Sequence, residues 1–172
     1  MKSVGFDAVA DRDARVLILG TLPSTESLKR SQYYANKANG FWWLMGELVG
    51  ASPEMEYKER LSVLKKNGIA LWDVCHSAER SGSLDSKILS STIEPNDLSS
   101  FLAHHLRVRL ICFNGHAAEK FFRRFSRSAN VSQIRRVVLP STSPAHTMAR
   151  SQKLCLWHKS LGEFIHLKPS RR

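Results

Sequence analysis

Four short segments of the chain combine small, hydroxyl, amide and ionisable residues, and each follows an apolar run. They are Gly20–Ser24, Asp73–Ser86, Asn114–His116 and Pro140–His146. Hydroxyl groups and backbone amides in such turns can bind phosphate oxygens, and an imidazole can stabilise negative charge on a leaving group. Ordinary loops share this composition, so the segments indicate where a site would lie without defining its chemistry.

The first of these segments reads Gly20-Thr21-Leu22-Pro23-Ser24. Glycine allows a ligand to approach the backbone closely, and proline stiffens the bend that follows. We therefore predict that all five residues bind substrate. Taken alone, an ordinary turn between a strand and a helix would have the same composition.

An aromatic segment runs from Tyr33 to Trp43 and contains two asparagines. Flat rings can stack on a nucleobase, which we predict for Tyr34 and Phe41. Asn39 can present a donor and an acceptor to a base edge or a water molecule, and it could also cap the helix that follows. Trp42 is predicted to lie in the core instead.

Three ionisable residues lie at or just beyond the ends of predicted strands. Asp73 would either accept a hydrogen bond from a base or cap neighbouring backbone amides. His76, close behind it, could act as an acid or a base, but a solvated surface position is favoured. His146 lies in the loop Pro140–Thr147, which combines rigid prolines with several hydroxyl groups, and it could stabilise a departing base.

Several familiar motifs are absent from the sequence. It has no phosphate-binding P-loop, no Gly-x-Gly-x-x-Gly fingerprint, no Gly-x-Ser-x-Gly elbow and no His-Glu-x-x-His pair. Cys75, Cys112 and Cys155 are widely spaced, which argues against a disulfide framework and against metal or iron–sulfur binding. Cys112 and Cys155 are predicted to be core residues. We expect neither a metal nor another cofactor.

Composition indicates an ordinary globular protein with an anionic partner. The 172 residues fit a single domain over residues 1–172, with a core from about 15 to 166. Lys and Arg total 26 against 15 Asp and Glu, a formal charge of +11. Charge alone does not separate DNA from RNA or anionic lipid. With no apolar run of 18 residues and no signal peptide, we expect a cytoplasmic protein that contacts no membrane.

Four apolar runs predict buried strands, and helical patterns lie between them. The runs are Arg15–Leu19, Ile69–Val74, Val108–Phe113 and Arg136–Leu139. Predicted helices start near Phe41, at Pro53 after a Ser52 cap, after an Asn96 cap, after Gly115 and near Met148, the last ending near Ile165. This alternation predicts a three-layer α/β/α fold around a parallel four-stranded sheet, with ligands at the carboxyl ends of the strands.

These segments, in this order, resemble the uracil-DNA glycosylase superfamily. Gly20–Ser24 and Pro140–His146 look like its two motifs. The stretches Tyr33–Trp42, Trp72–Val74 and Gly82–Ser86 resemble the hypoxanthine-DNA glycosylase branch, while Phe113-Asn114-Gly115 resembles the mismatch-specific thymine/uracil branch. Two departures stand out: Leu22 lies near the place of a water-positioning Asp or Asn, and Asp73 stands where some branches have a base-reading Asn.

The resemblance implies a uracil-DNA-glycosylase-like fold. It also implies an enzyme that excises a deaminated base, hypoxanthine or else uracil, from damaged DNA and needs no metal. It implies that Asn39 is the key catalytic residue, and we add His146 as a second. Asn114, Ser141 and Ser143 join the predicted substrate-binding residues. The enzyme is expected to be a monomer associated with the nucleoid.

Basic and loop residues around the site are predicted to hold the DNA. The predicted DNA contacts are Lys37, Arg80, Ser143, Ala145, Thr147, Met148 and Arg150, with Arg123, Arg124, Arg135 and Arg136 as further candidates for phosphate binding. His146 or Met148 is expected to fill the space left in the base stack.

Three alternatives remain open at the level of sequence. The chain could be a nucleic-acid-binding module without catalysis, a mismatch-specific uracil/thymine glycosylase, or an enzyme that acts on free nucleosides. The last predicts activity without duplex DNA and little dependence on salt.

Overall fold

The computed structural model describes residues 2–125 and 131–168. Its strands are β1 Lys2–Val4, β2 Val16–Gly20, β3 Ile69–Asp73, β4 Cys75–Glu79, β5 Glu94–Pro95, β6 Leu110–Asn114 and β7 Arg135–Leu139. Its α-helices are α1 Thr25–Arg30, α2 Phe41–Val49, α3 Tyr57–Lys66, α4 Leu98–His104, α5 His116–Phe125 and α6 Arg150–Leu161. Two 3-10 helices span Asp85–Lys87 and Ser90–Thr92.

The four predicted strands form one parallel sheet in the order β3-β2-β6-β7. Its register places Gly20 opposite Asp73 and Asn114 opposite Leu139. Because all four strands run in the same direction, their carboxyl ends meet at one edge of the sheet. The predicted three-layer α/β/α architecture is confirmed.

Alternating side chains of the strands divide the core between two faces of the sheet. In β2, Val16 and Ile18 pack into one cluster, with α2 and Trp157 of α6. Leu17 and Leu19 point the other way and pack with apolar residues of α4 and α5. A strand that is apolar at every position is the pattern expected where helices cover both faces.

A second, three-stranded sheet was not predicted. It has the order β1-β4-β5 with antiparallel pairing, and Ser3 pairs with Ala78. The strands of this sheet are short and largely polar, so they carry little of the apolar signal that reveals a buried strand. Strand β4 begins two residues after β3 ends, so the chain enters this second sheet directly from the carboxyl end of β3.

Several predicted helix ends are wrong by a few residues. Helix α3 starts at Tyr57, where Glu56 and Glu59 form a reciprocal capping box, so Ser52 and Pro53 lie in the turn before it. Helix α4 is capped by Asp97, whose side chain accepts from the Ser100 amide, and not by Asn96. Helix α6 is shorter than predicted, and the short helix α1 was missed.

Two core predictions have opposite outcomes. Cys112 is buried in β6 as predicted, but Cys155 lies on the exposed face of α6. Trp42 is buried, which confirms its predicted place in the core.

Of the helices in residues 2–125 and 131–168, none is both long and apolar enough to cross a membrane.

Candidate active site

A cavity of about 480 Å³ opens at the carboxyl ends of the parallel strands. Its volume lies in the range of small-molecule sites. Segments that are far apart in sequence meet here, because the sheet register brings the ends of β2, β3, β6 and β7 together. Gly20, Asn39 and Ser143 all line this one cavity.

The floor of the cavity depends on the missing side chain of Gly20. A Cβ at this position would collide with Oδ1 of Asp73 and would lie 3.2 Å from the Tyr34 hydroxyl oxygen. The Asp73 backbone is fixed as well, since its carbonyl accepts a hydrogen bond of 2.9 Å from Asn96 Nδ2. Glycine at this strand end therefore allows a carboxyl and a phenol to share the space above the backbone.

The Asp73 carboxyl is held in its neutral form. The residue is only 4% exposed, and its Oδ2 has no hydrogen-bond partner among the described residues. Burial, and then the nearby Asp85 carboxyl, raise the pKa of Asp73 to about 8, although Arg80 acts in the opposite direction. Desolvation disfavours the charged form of an acid. At neutral pH the group can therefore donate a hydrogen bond as well as accept one.

Tyr34 is fixed in a left-handed backbone conformation with φ at 54°. Its ring stacks on Phe41 at a centroid distance of 4.0 Å, and its hydroxyl accepts a 3.0 Å hydrogen bond from Asn114 Nδ2. Burial raises the pKa of Tyr34, so the hydroxyl keeps its proton. A strained residue stabilised from two sides is typical of a functional position.

Asn39 lies beside the cavity on the loop that enters α2. Its Oδ1 accepts a 3.0 Å hydrogen bond from the Phe41 amide, and its backbone amide donates to the Asn36 carbonyl at 2.8 Å. The next residue, Gly40, donates from its amide to Thr142 in the loop after β7 at 2.9 Å. Asn39 therefore bonds the first amide of α2, whose N-cap residue is Gly40, while its Nδ2 stays free of partners among the described residues.

Asn114 links Tyr34 to the loop after β7. Its Nδ2 donates to the Tyr34 hydroxyl and, at 2.9 Å, to Thr142 Oγ1, while its Oδ1 accepts from the Thr142 amide at 2.9 Å. Both amide hydrogens are therefore used within the protein. The side chain lines the cavity, but its geometry favours positioning of its neighbours over hydrogen bonding to a ligand.

Two side chains of α6 anchor the loop after β7 from behind. Trp157 donates from Nε1 to the Pro140 carbonyl at 3.1 Å, and Lys153 donates from Nζ to the His146 carbonyl at 2.8 Å. Within the loop, the Ser143 hydroxyl accepts from the Ala145 amide at 3.3 Å. The His146 Nδ1 is buried and has no partner in the described chain, and the residue lines the cavity.

A protein-family model of the Uracil DNA glycosylase superfamily matches residues 6–163 of the chain. That match covers the whole sheet and the segments that form the cavity. The chain belongs to this superfamily.

Relatives within the superfamily point to one branch. A Hypoxanthine DNA glycosylase of Methanosarcina acetivorans is 46% identical over 118 residues, which are 68% of this chain and 73% of that protein. A Hypoxanthine DNA glycosylase of Methanosarcina barkeri is 37% identical over 122 residues, which are 70% of this chain and 76% of that protein. A solution NMR structure from Methanosarcina acetivorans, solved as a candidate uracil DNA glycosylase, superposes with a TM-score of 0.77 and is 39% identical in sequence. The superposition covers 92% of this chain and 96% of the chain in that structure.

Most of the predicted site residues of this superfamily member surround the cavity. Those that line it are Gly20, Thr21, Leu22, Pro23, Ser24, Tyr34, Asn39, Asp73, Asn114, Ser141, Ser143, Ala145 and His146. Phe41 is fully buried and lies beneath Tyr34, so its ring supports the cavity wall and does not present a face to a base. His76 is exposed, as predicted.

Arg80 is not the surface DNA contact that we predicted. It is 4% exposed, and its guanidinium donates to the carbonyl oxygens of Leu22 and Pro23. The β4 strand, which the sequence did not reveal, carries Arg80 inward behind the Gly20–Ser24 turn. Its role in this structure is to support that turn.

The other predicted DNA contacts divide between two edges of the sheet. Thr147, Met148 and Arg150 line a second cavity of about 150 Å³ on the far side of the Pro140–His146 loop, and Lys37 is exposed on the Asn39 loop. In contrast, Arg123 and Arg124 lie in the last turn of α5, and Arg135 and Arg136 begin β7. These four lie towards the amino ends of the strands, away from the cavity, and Arg135 pairs with Glu163.

Sequence reasoning missed part of the cavity wall. Ser83, Leu84, Asp85 and Ser86 line it, and Asp85 accepts a 2.5 Å hydrogen bond from Thr21 Oγ1. The sequence placed the segment Asp73–Ser86 at the site and related Gly82–Ser86 to the hypoxanthine-DNA glycosylase branch, but it gave these four residues no individual role. Within residues 2–125 and 131–168, no group of three or more His, Cys, Asp or Glu side chains is suited to bind a metal ion.

The raised pKa of Asp73 predicts a pH-dependent gain in stability for Asp73→Asn. Between an unfolded pKa near 3.8 and a folded pKa of about 8, the folded wild type keeps a proton that the unfolded chain has lost. The contribution of Asp73 to the wild-type free energy of unfolding should therefore fall by about 1.4 kcal/mol for each unit by which the pH rises. Asn does not titrate, so the variant should gain on wild type from pH 5 to pH 8 in urea unfolding.

Asp13→Asn is the control for this measurement, because it makes the same chemical change at an exposed carboxylate whose ion pair with Arg107 is open to solvent. A stability difference between Asp73→Asn and wild type that is equal at pH 5 and pH 8 would contradict the neutral state of Asp73.

Proposed function

We propose that the protein is a monofunctional DNA glycosylase that excises hypoxanthine by hydrolysing the bond between the base and its sugar. The observation that carries the proposal is the cavity at the strand ends, which holds Asn39, Tyr34 and Asp73 around a space of ligand size. Two relatives that carry the name Hypoxanthine DNA glycosylase support hypoxanthine as the base.

A base inside a duplex cannot reach this cavity, so the target nucleotide must leave the stack. Extrusion costs a few kcal/mol and costs least at a mispair. The loop Pro140–Thr147 borders the cavity and carries exposed Ala145 and Thr147. In our proposal this loop presses on the DNA backbone, while His146 or Met148 occupies the place of the lost base.

Bond cleavage places electrons on the base and positive charge on the sugar. In our proposal, Asn39 orients a water molecule towards the sugar carbon by donating from its free Nδ2 to the water oxygen, or steadies the oxocarbenium-like state through the negative end of its amide dipole at Oδ1. His146 stabilises the negative charge of the departing base. Tyr34, backed by Phe41, lines the cavity and limits the space in which the base can move.

Excision is tested with labelled duplexes that carry hypoxanthine, uracil, xanthine or only normal bases, followed by alkaline cleavage of abasic sites. We expect strand breaks at hypoxanthine, and Asn39→Ala should slow single-turnover excision by roughly 10²–10³-fold, because it removes an oriented polar group. Asn67→Ala, at the end of α3, makes the same chemical change away from the cavity and should keep near wild-type rates.

A wild-type protein that binds every duplex and breaks none would be a binding module, contrary to the proposal. Breaks at hypoxanthine with equal rates for wild type and Asn39→Ala would keep the activity and remove Asn39 from the mechanism. Excision of free nucleosides without duplex DNA would favour the nucleoside-directed alternative.

Arg150 should contact a DNA phosphate near the Pro140–His146 loop. It starts α6, borders the second cavity and lies over the Trp43 ring at 5.3 Å. Arg150→Ala should weaken binding to lesion and normal duplexes alike and lower the slope of log affinity against log salt by about 0.9 for one phosphate. Fluorescence anisotropy across a salt series measures both quantities.

Arg123→Ala is the matched control, because Arg123 is an exposed arginine towards the opposite edge of the sheet. An equal loss of affinity in both variants would mean that net charge, and not the surface around the cavity, governs binding.

A further inference from the structure

The Asp73 carboxyl has an oxygen that no described group of the protein satisfies. Oδ2 is buried without a hydrogen-bond partner in residues 2–125 and 131–168, and the side chain lines the cavity. A buried polar atom that lacks a partner is unfavourable and rare in folded proteins. Because Asp73 also lines the cavity, a molecule that enters lies next to a carboxyl group whose hydrogen-bonding capacity the protein does not use.

The neighbours of Asp73 keep that oxygen available. Asp85 is engaged by the Thr21 hydroxyl at 2.5 Å, and Arg80 donates to the carbonyl oxygens of the Gly20–Ser24 turn. No hydrogen bond or ion pair joins either side chain to Asp73 within the described chain. Neither neighbour therefore occupies the Asp73 carboxyl, which stays available to a molecule in the cavity.

The ionisable groups around Asp73 come from several elements. They are Cys75 of β4, Arg80 after it, Asp85 of the first 3-10 helix, and Tyr33 and Tyr34 of the loop after α1. Burial raises the pKa of Cys75 to about 12 and raises the pKa of both tyrosines, so these three stay neutral near pH 8. Asp73, with a pKa of about 8, is the member of this set that changes charge in that range, and burial also raises the pKa of Asp85.

We propose that Asp73 reads the extruded base as a neutral acid, donating a hydrogen bond from its carboxyl to a ring carbonyl oxygen. The inference rests on the proposed excision of hypoxanthine. A carboxylic acid presents an O–H donor beside a C=O acceptor. Hypoxanthine presents the complementary pair, a ring carbonyl beside a ring N–H. An ionised carboxylate has acceptors only and would repel that carbonyl.

The proposal predicts a specific pH profile for excision of hypoxanthine from duplex DNA. Single-turnover rates are measured from pH 6 to pH 10 at fixed ionic strength and saturating enzyme. The wild-type rate should fall above pH 8, by up to about tenfold for each pH unit, as Asp73 loses its proton. Asn donates through an amide N–H that does not ionise, so Asp73→Asn should retain excision at pH 7 and lose this alkaline fall.

The proposal is tested by the ratio of the Asp73→Asn rate to the wild-type rate at each pH. Effects of pH that do not act through residue 73 are shared by both enzymes and cancel in this ratio. A ratio that rises at least tenfold between pH 7 and pH 10 supports the proposal. A constant or falling ratio overturns it, and so does a folded Asp73→Asn protein that is inactive at every pH.

Asp85→Asn keeps the proposal testable if Asp73→Asn does not fold, which circular dichroism would reveal. The Asp85 carboxyl raises the pKa of Asp73, so its removal should move the alkaline fall to lower pH. An unchanged position of the fall in Asp85→Asn would overturn the role of Asp73. A wild-type enzyme that excises no deaminated base at any pH would instead overturn the proposed function itself.

Discussion

The close approach of the Asp73 carboxyl to the backbone of Gly20 is the contact on which the site depends. It exists because β2 and β3 are paired in parallel with Gly20 directly opposite Asp73, and because glycine has no Cβ to fill the space. The Tyr34 hydroxyl enters the same space, which requires its left-handed backbone. One small residue at a strand end thus permits two functional groups to face one cavity.

The surroundings of this contact are rigid. Asn114 joins Tyr34 to Thr142, Gly40 joins the Asn39 loop to the same residue, and two side chains of α6 anchor the loop from behind. Such preorganisation suits catalysis in which charge develops on a leaving base, because oriented dipoles then need little rearrangement. The buried Asp73 fits the same design, since the protein stabilises its neutral form.

The sequence predicted the central sheet and most of the cavity wall because both have local signals. Apolar runs identify β2, β3, β6 and β7, and parallel pairing then places their ends together. The roles of Arg80 and Phe41 could not be predicted, because they depend on tertiary position: β4 turns Arg80 inward, and Tyr34 covers Phe41. The importance of Asp85 was missed since its segment has no periodic pattern.

A crystal structure with a duplex containing a non-hydrolysable deoxyinosine analogue tests the central claim most directly. We predict a nucleotide rotated out of the stack, its base in the cavity with the ring carbonyl within hydrogen-bond distance of Asp73 and its sugar beside Asn39. A complex in which the base stays stacked, or lies elsewhere while the cavity among Gly20, Asn39 and Ser143 stays closed to it, would contradict the account.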